Sequence, residues 1–461
     1  MIAEMKRRQF LRALAMTTGG IVLAACAPKA EPTATAMPKA QPTMPPVQAK
    51  PAGKEPVVLQ LHLRAGGEKS EAPLYVGCPG LLTEQYPYIK VELAPIPGGE
   101  FEAKVQTMAA AKTLGDVMWT AAHSGYHQRL IRQGIIAVSD ERLDAHGYSK
   151  DEWVPASIAP LTYEGKMYGL PKNCHPGAAH IWINEDMFQA AGLPVPEIYD
   201  HTHAEIFEWA KAMAKGPETD REVYGYTIRG NNFEFIYDGI RAFGGWEYNE
   251  EGTESLVDSD QARQWAVWAN SCYRAGLIPL TEALPTGGEA ALFAAQKVPM
   301  VCAGRWIHKS IQAAVKEAGD PFKWSVIQAP RESNANGWIG IIATHSATTF
   351  SKHPEEAFLL SYYMANQPCA ELQMTELGYL TARVDDIKTI EKLGNDPFLK
   401  LQYDNNLLEE PSRIPKNTRE LEARTVLQNE MQRIWLGDVE PTAETMKKIK
   451  EAVQSVVDKP Y

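Results

Sequence analysis

The sequence predicts an α/β protein built as two lobes. Strand-like and helix-like segments alternate from residue 57 onward, and the alternation resumes in a different register near residue 168. Roughly four hundred residues follow the first Pro-rich stretch, enough for two or three domain-sized cores. Segments alternating over this length fit two α/β lobes better than one sheet.

The elements follow in order. Val57 to Leu63 places Leu59, Leu61 and Leu63 on one side of Gln60 and His62, a strand pattern. Glu71 to Tyr86 suits a helix, and Ile89 to Leu93 a second strand. Phe101, Val105, Met108 and Ala109 share a helical face. Asp116 to Trp119 reads as a third strand, and Tyr126 to Gln133 as a helix stopped at Gly134. Together these form a βαβαβα unit of the parallel kind. Further on, Tyr168 to Pro171 and Ala179 to Ile183 are extended. Met187 to Ala191 and Ala204 to Lys215 are helical. Tyr224 to Ile228, Val298 to Cys302, Trp324 to Gln328 and Ile339 to Thr344 are strands, while Glu355 to Met364 and Leu421 to Trp435 are amphipathic helices.

The first 55 residues are of another kind. Lys6-Arg7-Arg8-Gln9-Phe10-Leu11-Arg12 leads into a mild apolar run from Leu14 that ends in Leu23-Ala24-Ala25-Cys26. A basic head, a short apolar body and small residues before a cysteine match a twin-arginine-type lipoprotein signal over residues 1–25, with Cys26 as the lipidated residue. Residues 27–55 are rich in Pro, Ala, Thr and Lys, with Pro28, Pro32, Pro38, Pro42, Pro45, Pro46 and Pro51. That composition cannot bury a core and predicts a disordered, semi-extended linker. The expected location is the outer side of the cell membrane, held by lipid.

Formal charge is -11, and residues 1–25 carry Lys6, Arg7, Arg8 and Arg12 against Glu4, so the rest of the chain stands at -14. An acidic surface argues against nucleic acid as a partner. Of six cysteines, Cys78, Cys174, Cys272, Cys302 and Cys369 remain after Cys26. An odd number leaves at least one unpaired. Export in the folded state from a reducing cytoplasm favours buried thiols for most of them, with a Cys272–Cys302 bridge as the alternative.

Several segments resemble the extracellular solute-binding proteins of the maltodextrin-binding type that serve ABC importers. Leu82-Thr83-Glu84-Gln85-Tyr86-Pro87-Tyr88-Ile89-Lys90-Val91 is similar to the family's opening helix, Tyr-Pro turn and strand. Leu114-Gly115-Asp116-Val117 resembles its strand entry, and Gln133-Gly134-Ile135-Ile136 the close of its next helix. Tyr163 to Pro171 carries the Gly-Lys-x-Tyr-Gly-x-Pro crossover, and Ala191-Gly192-Leu193-Pro194 the following turn. Arg241 to Trp246, Gly304-Arg305-Trp306, Phe350 to Ala357 and Gly378 to Arg383 continue in order. One departure stands out: Tyr199-Asp200-His201-Thr202-His203 occupies a helix start where the family usually has a Trp.

The resemblance implies a two-lobe, hinge-closing periplasmic-binding-protein-like fold of type II. The first lobe would take residues 56–172 and 338–378, the second 173–337 and 379–461, with crossings near 171–178, 330–339 and 378–384. It implies a monomer that binds a small solute, most readily a carbohydrate, and delivers it to permease subunits, with no cofactor and no catalysis. Oligosaccharide leads the candidate ligands; monosaccharide, polyol and glycerol phosphate follow.

Aromatic faces stack on sugar rings, and polar loop residues take hydroxyls. Trp306 and Trp246 follow glycines that free the backbone to present a ring, and they lead the ligand candidates. Trp119 ends a strand, Trp338 sits near a crossing, and Tyr379 follows Gly378. His123, Ser124, His175, Asn231 and Arg305 stand at loop starts and complete the candidate set. Trp182, Trp209, Trp265, Trp268 and Trp435 lie on apolar faces and read as core. The sequence contains no GxSxG, P-loop, helix-opening GxGxxG or HExxH motif. Cys174-His175 with His180, and His201 with His203, lack a third well-spaced metal ligand. An exported enzyme and a ligand-presenting receptor for a membrane sensor remain as alternatives.

Overall fold

The computed structural model describes residues 54–66, 71–97, 100–230, 232–378, 380–394, 397–407 and 416–459. The signal, Cys26, most of the linker, Asn231 and Tyr379 lie outside these residues. Ten strands follow in chain order: β1 (Val57–Arg64), β2 (Ile89–Ile96), β3 (Val117–Ala121), β4 (Thr162–Tyr163), β5 (Lys166–Met167), β6 (Leu170–Pro176), β7 (His180–Asn184), β8 (Met300–Ala303), β9 (Trp324–Gln328) and β10 (Gly340–Ala347).

The first lobe is built on a five-stranded sheet of order β2-β1-β3-β10-β6. β1 runs parallel to β2 and β3, as the alternating pattern predicts. β10 departs from the all-parallel expectation: it inserts antiparallel between β3 and β6. Leu59, Leu61 and Leu63 of β1 are fully buried, packed with Leu74, Leu82 and Leu360 from the helices over that face. The expected helix from Glu71 splits into a π-helical turn, Pro73–Gly77, and the helix Cys78–Gln85.

The second lobe holds a three-stranded sheet of order β8-β7-β9, antiparallel throughout. Trp182 of β7 has no exposure, and Trp265 and Trp435 are nearly as buried in the same core; Trp209 and Trp268 pack against it. Residues 224–228, expected as a strand, make a single parallel bridge, Thr227 to Val301. The amides before Thr227 bond elsewhere, Tyr224 to the Lys297 carbonyl and Gly225 and Tyr226 to that of Leu277, and Gly225 lies so close to the helix that a Cβ would stand 2.2 Å from the Ala210 carbonyl oxygen. No described helix is long and apolar enough to cross a membrane.

The chain passes between the sheets at β6 to β7 and at β9 to β10. Asp238, 2 % exposed on the helix Phe233–Ala242, fastens both passages. Its carboxylate accepts from the Ala178 amide and the Ile339 amide, each at 2.6 Å. Gly177 lies against that carboxylate, where a Cβ would stand 2.3 Å from Oδ2. On the third passage, Arg383 still bridges to Trp153, whereas the helix Glu420–Trp435 packs on Asp260–Arg274 and Ala443–Val457 in the second lobe.

The cysteines meet the expectation for three residues and depart from it for two. Cys78 and Cys369 form a disulfide that ties the helix Cys78–Gln85 to Gln367–Leu377. Cys174, Cys272 and Cys302 are buried and lie outside any disulfide, so the Cys272–Cys302 bridge does not exist.

Candidate functional site

Two clusters of polar and aromatic side chains meet where the lobes face each other. The first gathers around the end of β6. Lys172 and His175 are polar residues in a fully buried strand, both nearly without solvent contact. The His175 ring lies 6.2 Å from that of Trp306, which follows β8 in the other lobe. Arg305, beside Trp306, is also buried. Lys172 Nζ stands 3.7 Å from Glu71. His345 of β10 sets its ring edge-on to Tyr75 at 5.5 Å.

Burial is the main force on the ionisable groups here. It pushes the Lys172 ammonium below its ordinary range; Glu71 works against that shift, while Arg305 adds to it. His175 is held well below its usual value by burial and by Arg305. Burial, with a push from Lys172, holds His345 down as well. Both histidines are thereby held neutral near pH 7.

The second cluster adjoins the first through His123, which acts electrostatically on His175. His123 Nδ1 bonds the Ile342 carbonyl oxygen at 3.0 Å. Its ring stacks at 5.9 Å on Phe233 of the second lobe, and the Arg424 guanidinium covers the Phe233 ring at 4.1 Å. This ladder of imidazole, phenyl and guanidinium crosses between the lobes. Burial lowers His123 to about 4 and raises Glu234 to about 7, against the pull of Arg424 and Arg64. Glu420, likewise raised by burial, accepts from the Tyr237 hydroxyl at 3.2 Å. Ser124 is buried and donates to the Ala121 carbonyl at 3.2 Å.

The sequence-predicted residues divide accordingly. His123, His175, Arg305 and Trp306 come together. Trp119 is half-buried at the margin, edge-on to Phe101 at 5.5 Å and covered by the Arg64 guanidinium at 5.1 Å. Trp246 lies under Arg241 at 4.9 Å, and Arg241 is itself bonded to Glu247 at 2.5 and 3.1 Å. Trp338 is in the core of the second lobe, 4 % exposed and under Arg331 at 5.2 Å. Asn231 and Tyr379 fall outside the described residues. Lys172, His345, Phe233, Glu234 and Arg424 were not signalled by loop position or by a preceding glycine. The visible sign for Lys172 and His345 is a charged or ionisable residue inside a short extended run.

The arrangement offers flat rings and a mixture of buried donors and acceptors, suited to surrounding a small polar molecule between two domains. Among the described residues no group of His, Cys, Asp and Glu is arranged to hold a metal ion.

Residues 82–392 match the family described as bacterial extracellular solute-binding protein, and the chain belongs to that family, one of binding proteins. The fold agrees. A substrate-binding protein, Lmo0181 from Listeria monocytogenes, in complex with cycloalternan, superposes with a TM-score of 0.75 at 18% identity, over 87% of this chain and 99% of that one. A solute-binding protein from Thermotoga lettingae bound to α-D-tagatose gives 0.73 at 20% identity, over 87% and 99%. The GacH receptor of Streptomyces glaucescens, solved unliganded and with acarbose, gives 0.73 at 18%, over 88% and 100%. No curated protein matches the chain.

Proposed function

We propose that this protein captures a carbohydrate between its lobes and delivers it to the permease subunits of an ABC importer, acting as a monomer tethered outside the cell membrane by lipid on Cys26. The observation that carries the reading is the meeting of Trp306 and Arg305 of one lobe with His175 and Lys172 of the other, at the place where a closing cleft would bury a ligand. The sugars bound by structurally similar proteins support the ligand class. The Leu23-Ala24-Ala25-Cys26 sequence supports the anchor, and a Cys26→Ala chain that still cleaves normally and stays with membranes would remove it.

The two lobes are those of the two sheets, with crossings near residues 171–178, 330–339 and 378–384, and they close by hinge motion about the strands that Asp238 fastens. A thermal-shift screen against a sugar panel tests the ligand class. A ligand bound only by the folded state at a hundredfold over its Kd adds about 2.7 kcal/mol. With a ligand in hand, Trp306→Ala should weaken binding roughly tenfold or more, about 1.4 kcal/mol or above. A variant that melts early yet binds as before makes the ring structural and moves the site elsewhere.

A further inference from the structure

We propose that the lobes carry their own latch: residues 417–424 of the second lobe grip the start of the helix Gly125–Arg132 in the first, so that closure is stabilised by the protein itself as well as by what the cleft captures. This rests on the hinge reading above and adds to it a device that sets how readily the cleft opens.

The latch stands at the edge where the lobes face. β3 ends at Ala121, opposite Ala343 of β10. The helix that follows β3 therefore starts at the sheet edge where β10 arrives from the second lobe. The first amides of a helix find no partner within it. Ser124, at the N-cap position, caps none of them; its hydroxyl donates to the Ala121 carbonyl.

The cap comes from the other lobe. The Gly125 amide bonds the carboxylate of Glu420, a side chain with no exposure. Tyr237 of the second lobe holds the same carboxylate at 3.2 Å. An anion at this end of a helix also meets its positive pole. Gly125 permits the approach: a Cβ there would stand 1.9 Å from the Asn417 carbonyl oxygen and 2.9 Å from Glu420 Cβ.

Two further contacts flank the cap. One turn along the helix, Arg129 Nη1 donates to Glu422 Oε1 at 2.9 Å. Leu421 packs against the first-lobe cluster that contains Tyr126 and Leu130, whereas Ala423, Leu427 and Met431 of its own helix are buried in the second-lobe core. The helix Glu420–Trp435 thus belongs to one lobe and presents its first turn to the other. Hydrogen bonds weaken steeply with distance and angle, so rotation of the lobes about the strands that Asp238 fastens breaks these contacts together.

Hydrogen exchange at Gly125 in the full chain reads the latch, because that amide has no bond inside its own helix. It should be protected in the native protein. Glu420→Ala should free it. Glu422→Arg, which sets a cation against Arg129, should speed its exchange by about fivefold, and Arg129→Glu/Glu422→Arg should return it towards the native rate. Arg129 and Glu422 are partly exposed, so this pair keeps the test intact if Glu420→Ala fails to fold. Small-angle scattering should show a larger radius of gyration for Glu420→Ala and Glu422→Arg than for the native chain. An unprotected Gly125 amide in the native protein, or equal protection in all of these chains, would overturn the latch and leave the hinge standing. A freed amide with an unchanged radius would overturn the hinge reading and the latch with it.

Discussion

Removing the Cys78–Cys369 bond by Cys78→Ala/Cys369→Ala should cost about 3–5 kcal/mol. The two cysteines are 291 residues apart. In the chain-entropy treatment a loop of that length sets a ceiling of about 6 kcal/mol at 25 °C, and native disulfides usually deliver about 2–5. Both sulfurs sit in the first-lobe core without exposure, so the double replacement adds a small packing loss to the lost constraint. With an unfolding entropy of about 2.1 cal/mol/K per residue, 4 kcal/mol spread over roughly 400 folded residues lowers the melting temperature by about 5 °C if the chain melts as one. If the first lobe melts alone, the shift is larger. Differential scanning calorimetry of the double variant, and of the native protein with and without reductant, measures it; reductant should lower the native protein to near the variant and leave the variant unmoved. Thiol titration in denaturant should find Cys174, Cys272 and Cys302, plus Cys26 where it carries no lipid. Cys78 and Cys369 titrating as thiols, or a melting point indifferent to both treatments, would refute the reasoning.

Two further outcomes follow from buried charge. Glu247→Ala strands Arg241, which has no exposure, and should cost about 3–5 kcal/mol in urea unfolding; Arg241→Met/Glu247→Leu should recover most of it, since an apolar pair removes both desolvation costs. Acid should destabilise the fold. Burial holds His123 and His127 at about 4 and His180 at about 3, all below their unfolded value of about 6.5, so their contribution is lost as pH falls below about 6.5. Glu234 and Asp386, raised by burial to about 7, act in the opposite sense as pH rises from about 4.5 to 7. His62, His175, His203 and His345 are likewise held below their usual value and Glu420 is likewise raised, so depressed histidines outnumber raised carboxyls, protons are taken up on unfolding between about pH 4.5 and 6.5, and stability rises with pH over that window. Glu234→Gln should steepen that slope, and urea midpoints that stay flat or fall with rising pH over the window would refute the assignment.

The local pattern carried most of the strands. Leu59, Leu61 and Leu63 alternate because one face of β1 meets the core, and Trp324 to Gln328 forms β9 over the span its composition indicates. Antiparallel insertion of β10 was not legible, because strand neighbours more than 160 residues apart leave no mark on either segment. The disulfide was hidden for the same reason. Other signals stood in plain sight. Thr442 caps the helix Ala443–Val457, whose Met446, Ile449, Val453 and Val456 fall on one buried face. A ring after a glycine pointed to Trp306, which meets His175 across the lobes, and equally to Trp246, whose ring lies against Arg241. A preceding glycine frees the backbone without fixing which way the ring turns. Lys172 and His345 of the candidate site carry a different sign, an ionisable residue inside a buried extended run.

The place of β10 in the first sheet also dictates a timetable. As the chain is made, β3 and β6 emerge with a strand-wide gap between them, and the strand that fills it is not synthesised until the second-lobe strands β7, β8 and β9 have been made. Until then both offer unpaired edges, the kind of surface that recruits other chains. The first sheet is therefore closed after the second-lobe sheet although it is begun first, and its closing contacts span long stretches of sequence, which makes them slow to form. Any machinery that handles this protein as a folded body must wait until Ala347 has left the ribosome, and anything that holds the early strands apart in the meantime protects the whole molecule.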